Sequence, residues 1–338
     1  MKKKILVRSL LPVVFVFIAV AGEAQQVGGY HIVKTFHIAS GGGWDYIAVG
    51  PGNNRLYVSH ATQVNVLDEK TGDSLGVIAN TTGVHGIAFV PQLGKGYTSN
   101  GRLNNISVFD VITNEVKGQL ATGQNPDAII YDAFSKKLII CNGRSNDLTV
   151  IDPVSEKTIA TIEVGGKPET AVSDGAGMLY VNIEDKNEIV AINTKTYKVE
   201  HHWSIAPAEG PTGLAIDLSA KRLFAGCDKL LVVLDITNGK VIDKIPIGDG
   251  CDGVAFDSST KNIFASCGEG TLAIIHAEAG GKYKLAGSLP TKKSARTITI
   301  NPLLHTIYLP AAELGSPAAG ERRAPMIPGT FQVLVVQQ

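Results

Sequence analysis

Neither sign of charge prevails in this 338-residue sequence: 31 Lys and Arg face 31 Asp and Glu. Such a balance argues against wholesale binding to nucleic acid or an anionic membrane, which relies on a basic surface. Cysteine is scarce. Cys141, Cys227, Cys251 and Cys267 include no C-x-x-C pair, and their spacing does not read as a zinc site. Also missing are G-x-S-x-G, H-E-x-x-H, Walker A and C-x-x-C-H motifs. Their absence removes the commonest signatures of serine hydrolases, zinc proteases, nucleotide binders and c-type haem proteins. One G-x-G-x-x-G match, Gly248 to Gly253, joins two strand-like runs without a following helix. A dinucleotide site needs that helix N-terminus. The neighbouring His201 and His202 sit on a strand-like run, so their side chains point to opposite faces and cannot share one metal there.

Long apolar runs are lacking too. Leu10 to Ala21 is apolar but too short for a comfortable membrane span. Lys2, Lys3, Lys4 and Arg8 precede it, and Gly22-Glu23-Ala24 follows with small residues at the cleavage-determining positions. Residues 1–24 therefore read as a signal peptide cleaved near Ala24, with an uncleaved anchor as the alternative. The mature chain is expected to be periplasmic or secreted, without a membrane span, in a compartment that permits disulfides.

What the sequence has in abundance is repetition. Residues 126–167 contain four short runs rich in Ile, Val, Leu, Thr and Tyr: Ala128–Tyr131, Leu138–Cys141, Leu148–Ile151 and Thr158–Val164. These residue types suit a pleated, half-buried surface. Asp-Ala-Phe-Ser-Lys, Asn-Gly-Arg-Ser-Asn-Asp and Asp-Pro-Val-Ser-Glu separate them, and these are turn compositions, with Asn-Gly expected to supply the positive-φ positions. The unit reads as a four-stranded antiparallel meander. It recurs from starts near Trp44, Val84, Pro126, Pro168, Pro211, Cys251 and Ala295, spaced 40 to 44 residues apart. That is the period of four-stranded propeller blades. The second strands agree: RLYVSH, KGYTSN, KLIICN, MLYVNI, RLFAGC, NIFASC and TIYLPA.

The expected fold is all-β: one seven-bladed β-propeller domain over residues 25–338, each blade four-stranded and antiparallel. The seventh unit has only three strands of its own, whereas Tyr30–Ile38 alternates like a strand and precedes the first blade. It is expected to join the C-terminal blade and close the ring, leaving few exposed sheet edges. In the first strands, Gly86, Ala88, Gly213, Ala215, Gly253 and Ala255 alternate with larger apolar residues. Small residues on one face let the inner strands of neighbouring blades approach.

The recurrent (L/I)-(Y/F)-(V/A) second strand and V-x-V-x-D third strand stand here as LYVSH…VNVLD, LYVN…IVAIN and LFAGC…LVVLD. In these residues the chain resembles the YncE-like, YVTN-repeat β-propeller family, over essentially the whole mature length. The resemblance implies an exported seven-bladed propeller, related in architecture to quinoprotein amine dehydrogenase β-chains and to lactonase propellers. Most such proteins are binding or interaction scaffolds. The sequence departs from the pattern at residues 311–330, a Pro/Gly/Ala-rich insertion carrying Arg322 and Arg323. A loop of this length is a lid, a binding segment or a disordered stretch.

In a meander blade, the start of the first strand and the turn between strands two and three lie at the same end. At that end, called the mouth, the second position of each blade is Asp45, His85, Asp127, Glu169, Thr212, Asp252 or Arg296. The second-strand ends add His60, Asn100, Asn142, Cys227 and Cys267. These form either a ligand-binding crown or simple polar capping of strand ends. Arg102 and Arg144 occupy matching Asn-Gly-Arg positions, either as a pair able to hold a carboxylate or phosphate or as solvated turn residues. Cys251 and Cys267 begin and end one hairpin and are candidates for a disulfide, with free buried thiols the alternative. Asp127 and Glu169 lie side by side, so their repulsion needs relief. A Ca²⁺ or Mg²⁺ ion on oxygen ligands, a raised pKa, a cationic ligand group, or an inward-folding Arg102 or Arg144 would each supply it. Asp45 and Asp252 instead flank Arg296.

Three functions remain open. The first is a scaffold that binds a protein, peptide or small molecule at the mouth, without enzymatic activity. The second is a metal-dependent, lactonase-like hydrolase using mouth carboxylates, and the third is a subunit serving a redox partner. The absence of a recognisable nucleophile–base motif favours the scaffold.

Overall fold

A computed structural model describes residues 27–317 and 324–338; the signal peptide expected over residues 1–24 and the Arg322-Arg323 pair lie outside them. The described chain forms seven four-stranded antiparallel sheets, each a meander in sequence order except the last. Apart from strands it has three short 3₁₀ turns. The inner strands are Trp44–Val49, Val84–Val90, Pro126–Asp132, Pro168–Ser173, Leu214–Asp217, Cys251–Asp257 and Thr299–Asn301. Five begin where the repeat alignment places them. In blades five and seven the strand begins later, at Leu214 and Thr299. Residues 211–213 and 295–298 lie outside the regular ladder at the mouth, although Thr212 N–H still donates to the Gly226 carbonyl and Gly226 N–H to the Gly213 carbonyl.

Ring closure uses both ends of the chain. The N-terminal strand His31–His37 pairs antiparallel with the last strand Gln332–Gln337, from His31 opposite Gln337 to His37 opposite Gln332. It becomes the outermost strand of blade seven. Every blade thus has four strands, and the ring has no blade with a missing edge.

The core lies between blades. Seven clusters of buried side chains each join two neighbouring blades. The second and third strands supply most of it, because they are apolar on both faces and covered on both. Near the axis, glycine sets the spacing. A Cβ on Gly213 would stand 2.7 Å from the Gly253 carbonyl carbon, and one on Gly253 would stand 2.8 Å from Ile298. The alternation of small and large residues in the inner strands follows from this close approach.

Turns at the opposite end depend on acid or amide side chains. Asp68 Oδ1 accepts from the N–H groups of Lys70 and Thr71, and Asp110 Oδ1 from those of Ile112 and Thr113. Asp152, Asn193 and Asp235 repeat the arrangement. These side chains mimic a backbone turn. The Asn-Gly turns at the mouth differ from expectation. The left-handed residues there are Asn104 and Asn146, not Gly101 or Gly143. Gly101 is required for space: a Cβ would lie 2.7 Å from His85 Nε2.

Candidate functional site

The mouth ends of five inner strands break register with their neighbours. The breaks fall between Trp44 and Ile47, Val84 and Ile87, Pro126 and Ile129, Pro168 and Ala171, and Cys251 and Gly253. The residues that leave the ladder include Asp45, His85, Asp127, Glu169 and Asp252. Such irregularities re-aim side chains, and here they turn these groups toward one another across the mouth. The freed backbone groups need partners. The N–H of Asp45 donates to Ser59 Oγ at 3.1 Å, and that of Gly86 to Ser99 Oγ at 2.7 Å. Hydroxyls also stitch adjacent blades: Thr212 donates to the Cys251 carbonyl at 2.6 Å and Thr297 to the Asp45 carbonyl at 2.6 Å. Ser99 donates to the Asp127 carbonyl.

Asp45 is the hub of the side-chain network. Its Oδ2 lies 2.5 Å from His85 Nδ1, and its Oδ1 lies 3.3 Å from Arg296 Nη1. Arg296 also contacts Asp252 and donates through Nη2 to the Trp44 carbonyl at 3.0 Å. On the other side of His85, Nδ1 is 3.9 Å from Asp127 Oδ1. Asp127 is only 8% exposed, yet its carboxyl makes no hydrogen bond among the described residues. Glu169, also 8% exposed, is held by Lys167 Nζ at 2.5 Å, and Lys167 in turn contacts Glu184.

Beneath these groups Tyr46 reaches from blade one to blade four, where its hydroxyl stands 3.5 Å from Thr170 Oγ1. Its ring packs beside Ile130 against the apolar cluster of blades three and four. The side chain therefore lies across the channel as the floor of a polar cup.

Burial and crowding of charge set the protonation of the cup. Burial, then the charge of Asp45, pushes Asp127 up to about 6, despite His85, Lys167 and Arg296. Burial and Asp127 push Glu169 up to about 8, against the pull of Lys167. Burial works against the charge on Asp45 as well, but its hydrogen bond to His85 and the Arg296 charge outweigh it and hold the carboxyl low. Burial opposes the charged form of His85, but Asp45 and Asp127 overcome it and raise the imidazole. Tyr46 is pushed well above the usual phenol range by burial and by Asp127, Glu169 and Asp45.

The structure brings together Asp45, His85, Asp127, Glu169, Asp252 and Arg296, but it places the other candidates elsewhere. His60 is 1% exposed; its ring lies 4.0 Å from that of Phe331, and its Nε2 faces the Gly42 carbonyl at 2.8 Å. It ties the loop before blade one to the insertion-bearing strand pair and does not face the cup. Asn100 and Asn142 are fully buried. Asn100 donates to Asn105 and Ser107, and Asn142 to Asp147 and Thr149, so both bind strand two to strand three. Arg102 and Arg144 stay exposed and form no ion pair among the described residues. The cation that meets Glu169 is Lys167, two positions before it, and not Arg102 or Arg144, one of the reliefs the sequence left open. With Glu169 so engaged, the donors that converge are Asp45, His85 and Asp127, with mutual separations within 4.8 Å, rather than Asp127 and Glu169. Cys251 and Cys267 face each other in register, but all four cysteines are free and buried, so the expected cross-link is not formed. Each thiol instead donates to a backbone carbonyl, Cys251 to Gly253 at 3.7 Å and Cys267 to Ala265 at 3.6 Å, and the neighbouring Cys267 thiol, with burial, pushes Cys251 well up.

Lys167, Tyr46 and the serines are not among the candidates the sequence offers. A signal for the serines exists: Ser59, Ser99 and Ser266 occupy the same penultimate position of RLYVSH, KGYTSN and NIFASC. Lys167 lies just before a blade start, outside the aligned positions. The stem of the 311–330 insertion forms a short ladder, with Gly315 donating to the Pro325 carbonyl at 2.8 Å and Ile327 to Glu313 at 2.8 Å. Among the described residues no helix is long and apolar enough to cross a membrane.

No protein-family model matches the sequence, and no curated protein does. The resemblance to YVTN-repeat propellers therefore rests on the repeat residues alone. Among solved structures, the chain is similar to a chain of Kuenenia stuttgartiensis hydrazine synthase, at 15% identity and a TM-score of 0.70. The match covers 87% of this chain and 95% of that one. At this identity the likeness is one of fold: the chain is a seven-bladed β-propeller.

Proposed function

We propose that this propeller is a binding scaffold, exported from the cytoplasm, whose ligand presents a positively charged group to the channel-mouth cup. The observation that carries this reading is the Asp127 carboxyl, its side chain only 12% exposed beside Asp45 and without a hydrogen-bond partner among the described residues. A buried carboxyl is costly unless it is paired. The cup holds Asp45, Asp127, Glu169 and Asp252 against two fixed cations, Lys167 and Arg296, with His85 as a titratable third. With Glu169 pushed up to about 8 and mostly neutral at pH 7.5, the three Asp carboxylates still outnumber the two fixed cations, and this excess is concentrated beside Tyr46, where field lines focus. A cation entering the cup relieves both the burial cost and the repulsion between carboxyls.

The test compares thermal shifts of the mature protein with lysine amide and with its neutral analogue, norleucine amide, at equal concentration. The cationic probe is expected to raise the melting temperature saturably at pH 7.5. An Asp127→Asn, Glu169→Gln variant is expected to lose that response. Equal shifts from both probes, or an unchanged response in the variant, overturn the reading.

A further inference from the structure

We propose that the cation of this cup is a divalent first-row transition-metal ion, zinc-like in its preferences, held by Asp45, His85 and Asp127. The proposal rests on the cationic-ligand reading above and names the ion and its donors. The three side chains come from the mouth ends of consecutive blades, and one donor atom of each lies within 4.8 Å of the others. One imidazole with two carboxylates is a donor set that suits zinc and its neighbours. Calcium and magnesium prefer oxygen alone, and the oxygen pair that would have served them is broken by the Lys167–Glu169 contact.

The spacing fits. A tetrahedral ion with bonds of about 2.1 Å sets its donors about 3.4 Å apart. His85 Nδ1 stands 2.5 Å from Asp45 Oδ2 and 3.9 Å from Asp127 Oδ1. The ideal edge falls between these two values, so seating an ion opens the first by about 0.9 Å and closes the second by about 0.5 Å. Asp127 is the group with freedom to close, because its carboxyl is committed to no hydrogen bond among the described residues.

The surroundings fix the other two ligands, as outer groups around a metal do. Asp45 has Oδ1 toward Arg296, leaving Oδ2 for the ion, while Ser59 and Thr297 hold its backbone N–H and carbonyl. The His85 ring sits in space that a Cβ on Gly101 would fill. Tyr46 closes the channel side, so the coordination positions left to water or a ligand open outward from the mouth.

The test uses Co²⁺ as a spectroscopic stand-in and Zn²⁺ as competitor, on the chelator-stripped mature protein. One equivalent of Co²⁺ per chain is expected to give visible ligand-field bands of a low-coordinate site, abolished by stoichiometric Zn²⁺ but not by millimolar Ca²⁺. His85→Gln and Asp127→Asn are each expected to weaken binding at least tenfold, with unchanged circular dichroism. Asp127→Asn keeps the test sound if His85→Gln folds poorly, because it removes a repulsion and not a structural bond. A His201→Gln, His202→Gln variant, altered on the outer strand of blade four, is expected to bind as the parent does. Bands that survive both Asp127→Asn and His85→Gln, bands lost in the outer-strand variant, or displacement by Ca²⁺ overturn the metal site. A protein that binds no Co²⁺ but still responds to lysine amide overturns the metal and leaves the cationic-ligand reading standing. Failure of both overturns the reading itself.

Discussion

Replacing Asp127 with Asn is expected to stabilise the metal-free protein. The carboxyl is buried, faces Asp45 across His85 and gains no hydrogen bond among the described residues. Its value is pushed from 3.8 to about 6, which at 1.36 kcal/mol per pKa unit corresponds to about 3 kcal/mol. An independent figure agrees in order: two unit charges within 4.8 Å at an effective dielectric near 20 repel by about 3.5 kcal/mol, before His85 and Arg296 offset part of it. The folded value lies above the unfolded one, so the folded state retains a proton that the unfolded state has released. Stability therefore falls as pH rises from about 4 to about 6 and stays lower above that. Asn carries no charge at any pH. The variant is thus expected to match the parent near pH 3.5 and to exceed it by about 2–3 kcal/mol at pH 7.5. Urea unfolding in the presence of EDTA, followed by tryptophan fluorescence, measures the difference at each pH. A variant less stable than the parent at pH 7.5, or a gap of equal size at both pH values, refutes the reasoning.

Three further outcomes follow from the same geometry. Lys167→Met leaves Glu169 without its cation and is expected to cost about 1–2 kcal/mol at pH 9, where that carboxyl is ionised, allowing for the partial exposure of the lysine. At pH 6, where Glu169, pushed up to about 8, is largely protonated, the loss is expected to shrink; urea melts at the two pH values check it. Tyr46→Ala removes the floor of the cup and is expected to cost about 2–3 kcal/mol in denaturant unfolding, whereas Tyr46→Phe loses only a 3.5 Å contact to Thr170 and is expected to cost less than about 1 kcal/mol. Gly213→Ala places a methyl 2.7 Å from the backbone of Gly253 and is expected to cost about 1–3 kcal/mol by overpacking, read as a lowered urea midpoint with unchanged slope.

The architecture was legible because it is written seven times. A strand period of two, turn residues at fixed offsets and a 40-residue recurrence all point to one topology, and local errors average out. Even the closing strand could be read, since blade seven lacks a fourth strand and residues 30–38 supply one. The cup was legible only where repeat position fixes direction. Asp45, His85, Asp127, Glu169, Asp252 and Arg296 share one aligned position; a register break there turns the first five inward, and Arg296 joins them from the segment before the inner strand of blade seven. His60, Asn100 and Asn142 also share an aligned position, but it is the last ladder position of strand two, whose side chains bond to the neighbouring strand or loop. Polarity alone does not separate a strand-end group facing a channel from one satisfied inside a blade. Lys167 and Tyr46 are illegible in the sequence for a different reason: a flexible cation and a channel-spanning ring act through distances between blades, and no spacing along the chain encodes those.

The ladder between His31–His37 and Gln332–Gln337 gives the ring a kinetic asymmetry that its even appearance conceals. Six blades can form from neighbouring hairpins, whose closure costs about 2 kcal/mol of chain entropy for ten residues. The seventh must bring together residues about 300 positions apart, at about 5 kcal/mol if nothing else were ordered. Its last ladder is therefore the contact of greatest sequence separation, and such contacts form late. Until they do, the edge of Gln332–Gln337 and the apolar faces of Phe36, Val333 and Val335 lack cover. Opening of the folded ring is expected to begin at the same seam, so amide exchange at residues 31–37 and 332–337 reports the life of the closed circle rather than that of any single blade.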